Sequence, residues 1–548
     1  MVGGIVYESN KQLFTFRDSH RMSIGERKFF SINYCEFVSL LICIICLNLF
    51  LLSHYTNFIW PASELDDSEW LDPPSPHDSL EDTVAYQSLL APIKNAVLKP
   101  IHDISKSLVL EQSELKNING QPPDSISTAM LWLATVSTPD GSLINGFAQE
   151  TINFLVPLSR YIRLGWVNTE DKSLKEEEDL LVNEQKFSDH LLIQAIEAEG
   201  PEIAKNKNPN IIILQYQPHL FKHYVKEFKE FIKSDDYIIG RSMFETDAIP
   251  YLWAENINWY LDELWVPSEF AKKVFEREGV KCKITVIGEG FDPLVFNSKR
   301  IRTDRKLHQC CKEGDFIFLG IGKNEVRKGW DYLIRAYVQT FFSWKGEAPV
   351  CLSISSHGAT SPINLYKDLE KYKEFVPSIC IQPELPTDKY VAMIKSADAF
   401  ILATHGEGWG RPIMEAMALG LPAIIPYWGG LTEFVTKDTA LPINVNQLEI
   451  AFKNDYQHIG GKEFVGKHHW AHLNITSISE HMLWVVKHRE EAKEIGRRAE
   501  IMMRQRWTRD RVARDIRDRV AVIERGILKP FNRITSIHKV TTLIVYTR

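Results

Sequence analysis

The chain has 548 residues, enough for two or three domains, and its 44% hydrophobic and 25% charged content is ordinary for a folded globular protein. A formal net charge of −7 gives no sign of nucleic-acid binding, and no nucleic-acid partner is expected. Cys310 and Cys311 are adjacent and Cys282, Cys351 and Cys380 scattered, so no zinc-type pairing is visible. They read as buried thiols, with a disulfide among the five left open for a lumenal domain.

Phe37 to Ser63 contains no Asp, Glu, Lys or Arg, and residues 37–60 suffice to cross a bilayer core of roughly 30 Å as a helix. Lys11, Arg17, Arg21, Arg27 and Lys28 precede the run, whereas Glu64, Asp66, Asp67 and Glu69 open an acidic stretch after it. The positive-inside rule makes residues 1–36 a cytoplasmic tail and residues 37–60 a transmembrane signal anchor. The expectation is a single-pass type II membrane protein of the Golgi or endoplasmic reticulum with its large domain in the lumen. A cleaved signal peptide is the rival, but no small-x-small site follows the run. Residues 61–126, with Pro73-Pro74, Pro76 and Pro122-Pro123, read as a stem.

Residues 127–297 alternate short apolar strands with helices. Ala129–Ala134, Ile162–Val167, Ile211–Tyr216, Tyr237–Arg241, Glu263–Pro267 and Lys283–Ile287 read as strands of an open, mainly parallel sheet. A second set, beginning at Phe316 and continuing through Val350–Ser355, Ser378–Ile381, Ala399–Ala403 and Ala423–Pro426, falls in residues 298–485. Ligands of such sheets sit beyond the carboxyl ends of the strands. Leu483–Ala499 and Arg511–Gly526 have helical periodicity, within a helical segment assigned to residues 486–527; residues 528–548 read as a tail. Gly320-Ile321-Gly322 lacks the third glycine of a dinucleotide fingerprint, which argues against a nicotinamide enzyme.

Two stretches carry the chemistry. Gly322 to Gly329 follows the first strand of the second set and offers Lys323 and Lys328 to a diphosphate, with Arg327 read as surface. Thr404 to Val435 reads as strand end, glycine turn (Gly406-Glu407-Gly408-Trp409-Gly410), helix from Pro412 to Leu419, strand, and a second glycine turn at Gly429-Gly430 opening a helix. Free N–H groups at that first helix face whatever ligand sits on the turn. Glu407 and Glu415 can reach two hydroxyls of one polar ligand; on spacing alone they read equally well as solvated acids.

Together these strings closely resemble the donor-binding signature of family 4 glycosyltransferases. The resemblance spans about Ser127 to Ile527, and departs from the family in placing Lys323 where an Arg is usual. It implies an α/β GT-B fold, two doubly wound Rossmann-like domains facing a cleft, with acceptor bound by the first domain, donor by the second, and the terminal helices crossing back. It implies a retaining transfer of sugar from a nucleoside-diphosphate sugar to a glycan, lipid or protein acceptor. The donor site it implies comprises Gly322, Lys323, Lys328, Glu407, Gly408, Trp409, Gly410, Arg411, Pro412 and Glu415, with Lys328 and Glu407 catalytic. Glu407 then takes the donor sugar and Glu415 the nucleotide ribose.

The acceptor side is less defined. Gly240 to Asp247 stands where the family often has a His; Glu245 is the catalytic candidate there, and a salt-bridged structural acid is an equal alternative. His219 and His405 are further candidates with structural readings of their own. His468-His469-Trp470 reads as a surface loop rather than a metal site. No Asp-x-Asp occurs in the chain, so no metal and no cofactor is expected beyond the donor substrate. Asn474-Ile475-Thr476 is a glycosylation sequon. The rivals are a GT-B epimerase and a catalytically inactive nucleotide-sugar-binding lumenal protein.

Overall fold

A computed structural model describes residues 126–526 except 127, 135–145, 169–183, 347–348, 358–373, 384 and 454–455. The anchor expected over 37–60 and the tail at 528–548 lie outside the described residues. Among the described residues no helix is long and apolar enough to cross a membrane. Both sheets belong to one unit, Asn117–Arg548.

The first half runs β1 (Met130–Ala134), α1 (Gly146–Leu158), β2 (Leu164–Asn168), α2 (Glu184–Ala204), β3 (Ile211–Gln215), α3 (Phe221–Glu227), β4 (Tyr237–Arg241), α4 (Trp253–Tyr260), β5 (Glu263–Val266), α5 (Glu269–Arg277) and β6 (Lys283–Val286). Its strands pair parallel in the order β2-β1-β3-β4-β5-β6. Near-continuous apolar strands suit a sheet covered on both faces. Met130, Trp132 and Ile213 join one core cluster, while Leu131, Leu133, Ile212 and Leu214 join another, the period of two that a strand imposes.

The second half continues with β7 (Phe316–Lys323), α6 (Trp330–Phe341), β8 (Val350–His357), β9 (Ile379–Gln382), α7 (Thr387–Ser396), β10 (Ala399–Ile401), α8 (Arg411–Ala418), β11 (Ala423–Pro426) and β12 (Leu441–Ile443). The order β12-β11-β10-β7-β8-β9, all parallel, puts a topological switch between β7 and β10. The fold class is therefore the expected α/β arrangement of two parallel sheets.

Three local expectations are corrected. Gly429–Glu433 is a single 3-10 turn rather than the start of a longer helix. The helix expected over Leu483–Ala499 is two, α9 (Ile475–Lys487) and α10 (Arg489–Arg506), meeting at the non-helical His488. The break lets α9 pack on α6 while α10 packs on α8. His468 is not on a surface loop: it is buried, and the residues after it form β14 (His469–His472), paired antiparallel with β13 (Gln447–Ile450).

The chain meets the first half again at Trp507. Phe291 N–H donates to Trp507 O at 3.0 Å and Arg509 N–H to Phe291 O at 2.8 Å. α11 (Arg509–Gly526) then packs on α1, with Arg519 paired to Glu263 and Glu524 accepting from Thr128.

Candidate active site

The loops after β7 and β10 meet at the switch point. Lys328 closes a short 3-10 turn, Val326–Lys328, and Gly329 after it takes a left-handed φ of 62° that turns the chain into α6. A Cβ at Gly322 would stand 3.3 Å from Lys328 Cδ, so the lysine stem lies across that bare backbone. Lys328 Nζ thereby reaches Glu407 Oε1 at 2.7 Å, an oxygen that also accepts from Thr404 Oγ1 at 2.9 Å. Both charged side chains are over nine-tenths buried.

Arg327 corrects the surface reading. Its side chain is 14% exposed and contacts Glu407 Oε2 at 3.2 Å, Glu325 at 3.2 Å and Glu245 at 3.5 Å. Its guanidinium also donates to Gly406 O at 2.8 Å, and its own carbonyl accepts from His405 N–H at 2.7 Å. Burial pushes the Glu407 carboxyl up, but Lys328 and Arg327 outweigh that and hold it at about 2. Burial draws the Lys328 ammonium below its ordinary value, against the pull of Glu407. Lys323 is exposed at the end of β7, a cation facing solvent at the rim.

Glu245 stands in a first-half segment that presses on the glycine turn. A Cβ at Gly408 would meet Met243 Sδ, and one at Gly406 would meet the Glu245 carbonyl. Glu245 thus borders the glycine turn and is paired to Arg327. His219 stacks beside Trp253 at 6.3 Å between centroids, in a first-half packing position. His405 is buried, bonds Ala471 O at 2.7 Å and stacks on Trp470.

Gly410 caps α8 at φ 99°, with Arg411 and Pro412 opening the helix. Trp409 turns inward. It packs on Phe434 and Trp507 with centroids 5.0 and 4.8 Å away, so its ring serves the core and its backbone the turn. Arg411 is also turned inward, held by Glu289 at 3.1 Å and Glu415 at 3.3 Å. Tyr390 donates to Glu415 Oε2 at 2.6 Å, so the acid is positioned from two sides. Burial and the nearby Glu150 push Glu289 up to about 8, against the pull of Arg411 and Arg241.

Glu289 and Arg327 are the site neighbours that sequence reasoning missed. A carboxylate between Gly288 and Gly290, just after β6, was the available signal for Glu289. Asn474 lies apart: exposed, it caps α9 through its side-chain oxygen, which accepts from Ser477 N–H at 3.0 Å.

Residues 313–454 match the family model described as glycosyl transferases group 1. Mannosylfructose-phosphate synthase of Agrobacterium fabrum is 25% identical over 231 residues, 39% of this chain and 50% of that protein. The chain thus spans about half the length of that curated relative. Sucrose-phosphate synthase from Thermosynechococcus elongatus has a similar fold, with TM-score 0.50 and 12% identity over 73% of this chain and 100% of that one. Anabaena HepE, solved with UDP-glucose, matches at TM-score 0.49 and 14% identity over 72% of this chain and 99% of that one.

Proposed function

We propose that the chain is a retaining glycosyltransferase of family 4 type that takes a nucleoside-diphosphate sugar as donor. The observation that carries this reading is the buried Lys328–Glu407 pair at the switch point of the second sheet, beside the capped start of α8. Such a place suits an anionic, hydroxyl-rich ligand. As the bond between sugar and phosphate breaks, negative charge grows on the diphosphate. Lys328 and the N–H groups at Gly410–Arg411 are placed to stabilise it, with Lys323 adding a cation from the rim. Glu407 holds the sugar and Glu415, braced by Arg411 and Tyr390, the ribose. The acceptor, a glycan, lipid or protein, approaches from the Glu245 side and attacks on the face that the phosphate leaves, which takes its proton. The absence of Asp-x-Asp supports transfer without a metal, and activity should survive EDTA.

The membrane anchor at residues 37–60 and a lumenal catalytic part complete the reading. Two disulfides in the second half support an oxidising compartment, Golgi or endoplasmic reticulum. Asn474 uses its oxygen as a helix cap and keeps its nitrogen for a glycan. The test is the detergent-solubilised full chain with a panel of nucleotide sugars, following release of nucleoside diphosphate. One donor should be turned over and should raise Tm. A donor that raises Tm without turnover would instead favour the inactive binding protein, and no response from any donor would sink both readings.

A further inference from the structure

Four cysteines distant in sequence converge at the amino-terminal end of the second sheet, away from the candidate active site. Cys351 is the second residue of β8, Cys380 the second of β9, and Cys310-Cys311 precede β7. They correct the reading as buried thiols, because they pair as Cys310–Cys380 and Cys311–Cys351, each with 5.6 Å between Cα atoms.

The two bridges share one cluster. Cys310 Sγ lies 4.0 Å from Cys351 Sγ, Cys311 Sγ 3.8 Å from Cys380 Sγ, and Cys351 Sγ 3.9 Å from Cys380 Sγ. All four sulfurs fall within 4.8 Å of one another. A tetrahedral zinc–thiolate site, with Zn–S of about 2.3 Å, has sulfur–sulfur edges of about 3.8 Å. Three of the six edges therefore already have that length. The two bonded edges need only open by about 2 Å, within reach of side-chain rotation. The backbone N–H of Cys310 also donates to Cys380 Sγ at 3.0 Å, the kind of hydrogen bond that steadies a metal-bound thiolate. Cys351 and Cys380 are buried while Cys310 is exposed, so a reductant has one open sulfur to attack.

We propose that this cluster is a two-state site: two disulfides when oxidised, and one zinc ion held by four thiolates when reduced. Each disulfide accepts two electrons and two protons from a dithiol, which leaves as its own disulfide. The four thiols then release four protons to solvent as the ion binds. Either state ties the segment before β7 to β8 and to the edge strand β9, so the second sheet keeps its clasp whether the cluster is oxidised or reduced. The proposal is independent of the transfer reading.

The test uses the full chain in detergent, reduced with a dithiol, desalted, and offered zinc or cobalt(II) alone. Metal analysis should find one zinc bound at the cluster in the reduced chain and none in the oxidised chain. Cobalt should give thiolate-to-metal charge transfer with tetrahedral d–d bands. Chelation should lower the Tm of the reduced chain, and zinc should restore it. Cys351→Ser, buried, must first be shown to fold; Cys310→Ser, at the exposed position, gives a second route. Either substitution should weaken zinc binding at least tenfold, whereas Cys282→Ser should leave it unchanged. A reduced wild type that holds no zinc after desalting, or a folded Cys310→Ser that binds it as wild type does, overturns the proposal.

Discussion

Both sheets gather buried charge at their carboxyl ends, but they use it differently. In the first sheet Arg241, at the end of β4, holds Glu150 through Nε at 3.0 Å and its terminal nitrogen at 2.5 Å. Gln215, at the end of β3, donates to Glu150 Oε2 at 2.7 Å and accepts from Trp132 Nε1 at 2.7 Å and Thr151 Oγ1 at 2.8 Å. Arg241 spends its remaining terminal nitrogen on Ile287 O at 2.6 Å. These residues are at most 4% exposed, and their donors and acceptors answer one another. At the end of the second sheet Glu407 is shared by Lys328 and Arg327, while Lys323 faces solvent and Glu245, reaching Arg327 from the first half, is 27% exposed. Burial alone thus does not mark a reactive site. A closed network is a frame, and an open one is available to a ligand.

The largest expected effect breaks the frame. Arg241→Met leaves Glu150 buried without its cation, a loss of about 3–5 kcal/mol for a broken buried pair. Thermal unfolding and expression yield would show it before any assay. Wild-type stability in that variant would refute the distinction drawn between the two sheets.

Lys328→Ala tests the open network. Glu407 keeps Arg327 as a partner, so stability should fall less than in Arg241→Met. Donor turnover should lose roughly 10²-fold in kcat if the ammonium stabilises the leaving diphosphate. Steady-state kinetics on the folded variant decides the matter, and Arg327→Ala should show a smaller kcat loss. Near-normal kcat in Lys328→Ala, with loss in Arg327→Ala, would move the electrostatic role to the arginine.

How much of this could be read in the sequence follows from what each contact depends on. Strands such as Ile211–Gln215 are local apolar runs, and the Gly406–Gly410 turn and α8 are local glycine and proline signals, so they were legible. Arg327 was misread because its burial comes from Gly406, Glu407 and Glu245, all distant in the chain. The cysteine pairing joins positions 40 and 70 residues apart and leaves no spacing motif. Trp409 was legible as part of the turn, but the direction of its ring was fixed by Phe434 and by Trp507 at the crossing.

A smaller effect separates binding from chemistry. Glu415→Gln keeps the bulk of the side chain and one acceptor for Tyr390, while weakening what a ribose hydroxyl of the proposed donor would find. The donor KM should rise roughly tenfold with little change in kcat, the pattern of lost uniform binding. A fall in kcat with unchanged KM would instead tie Glu415 to the reacting centre.

The smallest effect concerns Glu289, paired with Arg411 and pushed up by burial and by Glu150. Its ordinary pKa is about 4.3; in the folded chain it rises to about 8. Between those values the folded state holds a proton that the unfolded state has released, so stability falls as pH rises through this window. Glu407 acts elsewhere: held at about 2, it contributes stability that is present above its ordinary value and lost as pH falls toward 2. His308, His405 and His468 are pushed down by burial, so their contribution is complete above the ordinary histidine value of about 6.5. From pH 6.5 to 8, then, Glu289 is the member of this set that still titrates. Glu289→Gln mimics the protonated side chain and keeps an oxygen for Arg411. Its Tm should decline less than that of wild type across that range, and the two curves should converge toward pH 5. Parallel curves would show that Glu289 is ionised throughout, in an ordinary ion pair with Arg411.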